Sequence, residues 1–227
     1  MTRQTSTIPE FAAKQIQALI HSGEFPPGTA LPAQRDLAER LGVSRASLRE
    51  ALIVLETLGL ILVQPGKGVF VLGGPNDPYA AAPRLGGDAG AAYQFRLAVE
   101  PFVAGLAAQY ASPEQMAGLA DAVARMRLAL TAGDLVEAAH TDYDFHQSLL
   151  LASGNPLFVE ALRPASAVLQ ESRMRPFANR AKIQDPLHEH EAILDQIRRR
   201  NPSGANDAMH RHVLGAARRA GVTFLRP

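Results

Sequence analysis

Leu31-Pro-Ala-Gln-Arg-Asp-Leu-Ala-Glu-Arg-Leu-Gly-Val-Ser-Arg-Ala-Ser-Leu-Arg-Glu-Ala-Leu52 is the stretch that decides the first domain. It reads as a helix, a tight turn at Gly42 and a second helix whose opening turns carry Arg45 and Arg49. Two helices joined by a short Gly-containing turn are the sequence form of a DNA-binding helix-turn-helix. Gly59 stops the second helix. Ile61-Leu-Val-Gln64 and Val69-Phe-Val-Leu72 then flank Pro65-Gly-Lys-Gly68. Two short β-branched runs around a Pro/Gly turn predict a β-hairpin, and helix-turn-helix plus hairpin is a winged helix.

Working outward, the chain has 227 residues, enough for two ordinary domains. Its composition, 47% hydrophobic and 20% charged, is that of a globular protein. It has no cysteine, which excludes disulfides and thiolate metal sites. The polar start Met-Thr-Arg-Gln-Thr-Ser-Thr has no signal-peptide core, and no run reaches the length of a membrane span, so a cytoplasmic protein is expected. Net charge is only +1. The first 75 residues hold seven Lys/Arg against six Asp/Glu, so DNA binding has to rest on where the arginines sit rather than on their number. Histidine is uneven: six of seven lie between His140 and His212, which directs attention to chemistry in the second half.

The organisation predicted is a winged helix-turn-helix domain over 1–75, a linker over 76–90 and an all-helical domain over 91–227. The first domain opens with a helix from about Pro9 to Ser22, carrying Phe11, Ile16, Leu19 and Ile20 at near-helical spacing. The linker follows from its Gly/Pro content. In the second domain Ser112-Pro-Glu-Gln115 is a capping box with proline at the first helical position. Gly133-Asp134, Gly154-Asn155-Pro156 and Asp185-Pro186 are further stops and starts. They divide the region into helices near 91–110, 113–132, 134–153, 156–175, 186–200 and 205–221. The fold expected is mostly α, with the winged domain joined to an antiparallel bundle of six or seven helices.

Ser44 is placed to cap the second helix of the motif and to meet a phosphate. Arg45, Ser47 and Arg49 occupy the turns that reach base edges, where a guanidinium fork can bond guanine O6 and N7 together. Leu48, Leu52 and Leu55 form the opposite, core-facing stripe. Arg35 lies near the start of the preceding helix, and Gly66 and Lys67 at the wing tip can approach a minor groove. Leu31–Leu72 resembles the N-terminal domain of GntR-family bacterial transcription regulators. The shared pattern is Leu-Pro-x-x-Arg-x-Leu-Ala-x-x-Leu-Gly-Val-Ser-Arg-x-x-Leu-Arg-Glu-Ala-Leu, followed by Gly59-Leu60 and Gly66-x-Gly68. The resemblance implies that Arg35, Arg45 and Arg49 read bases and that Gly66 enters the minor groove. One departure is Ala33, where the family usually has serine, with a lost helix cap or phosphate contact as the expected consequence.

In the second domain Asp142 and His146 are four apart, hence on one helix face, together with Ala138, Ala139, Leu149 and Leu150. An inward aspartate is costly unless paired, hydrogen-bonded or bound to a metal. His140 and Asp144 read as the wet face. The later histidines come as the pairs His188/His190 and His210/His212. Residues two apart point about 200° apart on a helix, so each pair offers one inward member. His190 shares its stripe with Leu187, Ile193, Leu194 and Ile197, and His212 aligns with Ala208, Met209 and Ala216. The inward set is Asp142, His146, His190 and His212, an N/O donor set suited to a divalent metal, Zn²⁺ first, with Ni²⁺ or Mn²⁺ also fitting. Residues 91–221 resemble the FCD-type ligand-binding domain of the FadR-like subfamily. The resemblance is carried by Arg96-x-x-x-Glu100, Asp142-x-x-Phe-His146 with Ser153-Gly-Asn-Pro156, His190-x-x-Ile193 and Ala208-Met-x-x-His212. It implies that these four positions ligate a divalent ion.

Arg96 and Arg219 are read as inward arginines able to hold an anionic effector bidentately. The function expected is a homodimeric regulator, a repressor first, on a pseudo-palindromic double-stranded DNA operator. Its occupancy would be set by a small organic or sugar acid at the metal, with no membrane partner and no enzymatic activity. Two alternatives stand beside it: a regulator for which the metal itself is the signal, and a metallohydrolase with an appended DNA-binding domain. The second lacks a nearby general base, because Asp144 and Glu189 both map to wet faces.

Overall fold

In the computed structural model, residues 7–73 and 89–222 are described, in two compact units, Met1–Arg84 and Leu85–Pro227. Most of the expected linker, 76–88, lies outside the described residues.

The first unit is built as α1 (Ile8–His21), α2 (Gln34–Leu41), α3 (Arg45–Thr57), β1 (Ile61–Gln64) and β2 (Gly68–Val71). Thr7 and Glu10 close a reciprocal capping box on α1. The inward face of α1 is Ala12, Ala13, Ile16 and Gln17; Phe11, expected on that stripe, is exposed. Small residues there let α1 lie close against Leu48, Leu52 and Leu55 of α3, all buried. Ala33 stands at the N-cap of α2 without a side-chain cap, as its departure from serine predicts. Gly42 ends α2 in the left-handed region at φ 66, the conformation glycine adopts without steric cost. β1 and β2 pair antiparallel, Ile61 opposite Val71 and Gln64 opposite Gly68. The outer edge of β2 is also satisfied: Leu31 N–H donates to the Val69 carbonyl at 2.7 Å and Val71 N–H to the Thr29 carbonyl at 2.9 Å. The wing is thereby tied to the chain entering α2.

The second unit is helical throughout: α4 (Ala89–Tyr110), α5 (Pro113–Ala132), α6 (Leu135–Ala152), α7 (Pro156–Leu162), α8 (Ser166–Met174), α9 (Asp185–Arg198) and α10 (Pro202–Arg219). The helix expected over 156–175 is in fact two, joined by a 3₁₀ turn at Arg163–Ala165. Pro164 is the cause, since it lacks the N–H an α-helix needs and its ring crowds the carbonyl four residues back. α10 begins at Pro202, earlier than expected, because the Asn201 side chain accepts from Gly204 N–H and caps it. The cap of α9 is Gln184 rather than Asp185, with no side-chain bond. α4 packs most extensively on α10, α5 on α6, and α9 on both α10 and α5. Arg200, in the turn between α9 and α10, donates to the Ala111 carbonyl at 2.7 Å and reaches those of Ala108 and Gln109. That cation closes the C-terminal end of α4 and holds the two histidine-bearing helices against it.

Candidate DNA-reading surface and metal centre

Of the DNA-contact residues expected in the first unit, Arg35, Ser44, Arg45, Arg49, Gly66 and Lys67 are exposed and Ser47 is half-buried. Ser44 caps α3, its Oγ accepting from Ser47 N–H at 3.1 Å and lying 3.0 Å from Ser47 Oγ. Arg45 and Arg49 are exposed on the same helix, while Leu48 between them is fully buried. Arg35 is exposed and pairs with its neighbour Asp36, Nε to Oδ1 3.0 Å. Gly66, at φ 73, and Lys67 are exposed in the hairpin turn. No charge partner pins Arg45, Arg49 or Lys67 among the described residues.

In the second unit the four inward residues meet. Asp142 and His146 come from α6, His190 from α9 and His212 from α10, all at least 97% buried. One donor atom of each lies within 4.8 Å of the others. His212 Nε2 is 3.3 Å from His146 Nε2, and His190 Nε2 is 3.5 Å from Asp142 Oδ1. His188 and His210, the other members of each pair, are exposed. The arrangement leaves polar atoms stranded. Among the described residues neither ring nitrogen of His190 has a hydrogen-bond partner, nor has Asp142 Oδ2, although His190 is stacked on Phe145 with ring centroids 4.2 Å apart. Unsatisfied buried donors and acceptors cost about 1–3 kcal/mol each, so the stranded atoms of His190 and Asp142 call for a partner, and a cation at the cluster would supply one. The electrostatics agree. Burial pushes the Asp142 carboxyl up to about 6, partly offset by His212, Arg96 and Arg173. Burial, reinforced by nearby cations, holds His146 and His190 well below the ordinary imidazole value, so both are neutral and free to donate lone pairs.

A carboxylate orients one of the rings from behind: His212 Nδ1 is 2.8 Å from Glu189 Oε2, whereas His146 Nδ1 only approaches Glu100 Oε2, at 3.4 Å, without a hydrogen bond. Such an outer carboxylate fixes the tautomer and turns the other nitrogen toward an ion. A cavity of about 10 Å³, the space of about one water, opens beside the cluster. Arg96, Arg173 and Arg219 line it together with Asp142 and His212. Arg96 is 1% exposed; its Nε bonds Glu100 Oε1 at 3.1 Å and its guanidinium lies 5.3 Å from the Tyr93 ring centre. Burial opposes its charge, but Glu100 and Tyr93 more than compensate, raising its pKa. Arg219 is clamped by Glu189 through two bonds of 2.7 and 2.6 Å.

The sequence of residues 9–71 matches the family model described as bacterial regulatory proteins, gntR family, and residues 91–215 match the FCD domain. The chain belongs to the GntR family and carries an FCD domain. It is a transcription regulator of that family. This GntR-family chain is 30% identical over 205 residues to the HTH-type transcriptional regulator LutR of Bacillus subtilis (strain 168), covering 86% of this chain and 93% of that one. It is 29% identical over 222 residues to the HTH-type transcriptional repressor NanR of Klebsiella aerogenes, covering 90% and 82%. A solved GntR regulator from Rhodococcus sp. RHA1 shares the fold, with a TM-score of 0.53 at 21% identity over 96% of this chain and 100% of that one.

Three residues of the FCD site escaped the sequence reading. Glu189, assigned to a wet face, reaches back to His212 and Arg219 and is only 24% exposed at its side chain. Arg173, 4% exposed, bonds Glu100 Oε1 at 2.8 Å through NH2 and keeps an unpartnered Nε. Its position one helical turn after buried Leu169 was the available signal. Tyr93, whose hydroxyl donates to the Ser172 carbonyl at 2.6 Å and is pushed up to about 12 by burial, supports Arg96 from below. Its spacing of three from Arg96 was the corresponding clue.

Proposed function

We propose that this regulator is a cytoplasmic, homodimeric repressor whose operator binding is released by a small organic or sugar acid held at a divalent metal in the FCD domain. The observation that carries this reading is the convergence of Asp142, His146, His190 and His212 with unpartnered donor atoms, beside a cavity lined by three arginines. These four residues would hold the ion, Zn²⁺ first and Ni²⁺ or Mn²⁺ as alternatives, and it would supply a Lewis-acidic position for an acid's oxygen. Charge counting favours an anionic effector. Arg96, Arg173 and Arg219 face Glu100, Glu189, Asp142 and Asp185, so a divalent ion leaves the site with one positive charge in excess. Arg96 and Arg219 are the effector arginines proposed, joined by Arg173.

Arg35, Ser44, Arg45, Ser47 and Arg49 are assigned to the operator's major groove and backbone, Gly66 and Lys67 to its minor groove. The sign of control follows NanR, which is a repressor. Dimerisation is supported by α4, whose exposed face carries Phe95, Phe102 and Tyr110 and no charge: its two charged residues, Arg96 and Glu100, are both buried. Arg45→Ala is expected to weaken operator binding by about 1–3 kcal/mol and to relax sequence preference, read by fluorescence anisotropy on operator and scrambled DNA. An equal loss on both DNAs would remove Arg45 from base reading.

A second reading, in which the metal is itself the signal, draws on the cavity, whose volume of about 10 Å³ admits no organic acid without movement of its walls. Native mass spectrometry of the purified protein, followed by operator titration, separates the two. Full zinc occupancy with acid-dependent release is the expected result. Release on zinc alone would replace it with the metal sensor, and no metal uptake would overturn both.

A further inference from the structure

A second and larger cavity lies on the solvent side of the Glu189–Arg219 clamp. It measures about 380 Å³, within the size range of small-molecule sites, and is open to solvent. Lys182, Arg211, Arg218 and Arg219 line it, with Asp185 and Glu189 as its only acids. Those two acids are engaged by Arg219, Glu189 through two short bonds and Asp185 at 3.5 Å. Lys182, Arg211 and Arg218 have no carboxylate partner among the described residues. The groove therefore presents three cations without a carboxylate partner and, because Arg219 faces two acids, a lining net charge of +2.

Its floor is shaped for access. Arg211, Gly215 and Arg218 form one stripe of α10, with the glycine between the two arginines. A Cβ at Gly215 would meet Glu189 Oε1 at 2.6 Å and Arg219 NH1 at 3.1 Å, so only glycine leaves the clamp where it is. Arg219 lines both this groove and the inner cavity. It is 8% exposed, and its Nε has no hydrogen-bond partner among the described residues. Arg219 is thus a buried guanidinium with a spare donor in the wall common to the two spaces. The inner space has room for about one water, so the rest of any acid anchored there needs room outside it, and the groove across Arg219 is the larger space at hand.

We propose that the groove is an outer anion subsite that selects effectors bearing a second acidic group, a carboxylate or a phosphate, over simple monoacids. This rests on the reading of the inner cavity as the site of the first carboxylate. Charge-assisted bonds to a second anionic group lead to a preference of about tenfold or more over a matched monoacid.

Calorimetric titration of the zinc-loaded full chain tests it with two matched pairs, lactate against malate and glycerate against 3-phosphoglycerate. The first pair reports a second carboxylate, the second a phosphate. The expected result is tighter binding of the two-headed member of at least one pair. In the Arg211→Ala/Arg218→Ala variant that preference should vanish while the monoacid constant stays unchanged. Both positions are exposed, so the fold is retained, as circular dichroism would verify. Monoacids that bind as tightly as their two-headed partners overturn the groove alone, as does a preference that survives the double variant. Binding of none of the four acids overturns the inner effector site with it.

Discussion

Glu189 serves two partners from one carboxylate. Its Oε2 faces His212 Nδ1 at 2.8 Å and Arg219 NH2 at 2.6 Å, and these contacts outweigh burial and hold its carboxyl below the usual range. It is a positioning residue: it orients an imidazole and withholds an arginine. Gly215→Ala probes it with little risk to folding, since alanine in a helix interior is favoured over glycine by about 1 kcal/mol. The added methyl displaces the Glu189 carboxylate, so zinc affinity, read by competition with a chromophoric chelator, is expected to fall about tenfold or more while Tm does not drop. Unchanged affinity would strip Glu189 of that role. On the proposed metal reading, Asp142 is expected to set the pH response. With its carboxyl at about 6 in the ion-free protein, a proton competes with the metal below that pH. Zinc affinity should be level above it and fall about tenfold per unit below it, seen in the same competition assay across pH 4.5–7.5. His146 and His190, held well below their ordinary value by burial, add little in that window. The residues legible in advance were those whose direction helical periodicity fixes. Asp142, His146, His190 and His212 follow from 3.6 residues per turn. Glu189 does not, because the wheel gives the direction of its Cβ, whereas three further bonds carry its carboxylate around the helix edge to α10.

At the scale of elements, the boundaries with local chemical causes were readable. Ser44 caps α3, Ser112 with Gln115 closes the box on α5, and Gly133 ends α5 at φ 71, each where the sequence placed it. The break at Pro164 was passed over because the flanking residues keep a helical pattern on both sides, and hydrophobic spacing is insensitive to one missing N–H. The break has a use: it lets α8 turn Arg173 and Ser172 toward α4, where Ser172 Oγ lies 3.4 Å from Arg96 NH1. α2 offers a direct test of the cap argument. Its N-cap is Ala33, with extended backbone (φ −54, ψ 141) and no side-chain bond to the first turn. Ala33→Ser restores an acceptor in that geometry and should add about 1 kcal/mol of stability, seen as a higher Tm of the first thermal transition. A Tm at or below that of the parent chain would show that the open N-terminus of α2 is already satisfied by solvent.

At the scale of the whole molecule, charge and symmetry pull together. The first 75 residues carry a net charge of only +1, and the full chain carries the same. A single winged domain so nearly neutral gains little from counterion release, the main source of sequence-independent affinity. On the proposed reading, occupancy of an operator would depend on a few placed arginines engaging two half-sites at once, and so on a dimer. The surface best suited to self-association is the outer face of α4, where Phe95, Phe102 and Tyr110 are 42%, 56% and 63% exposed along a 22-residue helix that shows solvent no charge. Solvated helices ordinarily carry charged residues on that face, and an apolar one persists where a partner covers it. A two-fold axis through this stripe brings like residues together without opposing charges. Phe102→Asp places two carboxylates near that axis while touching nothing in the metal cluster. The variant is expected to keep its helicity and its zinc, to sediment as a monomer at micromolar concentration, and to lose roughly 10²–10⁴-fold in operator affinity as the second half-site becomes an independent event. A variant that remains dimeric moves the interface elsewhere in the bundle. A monomer that still binds the operator with parental affinity would mean that one winged domain suffices, and would leave an effector no half-site spacing to act on.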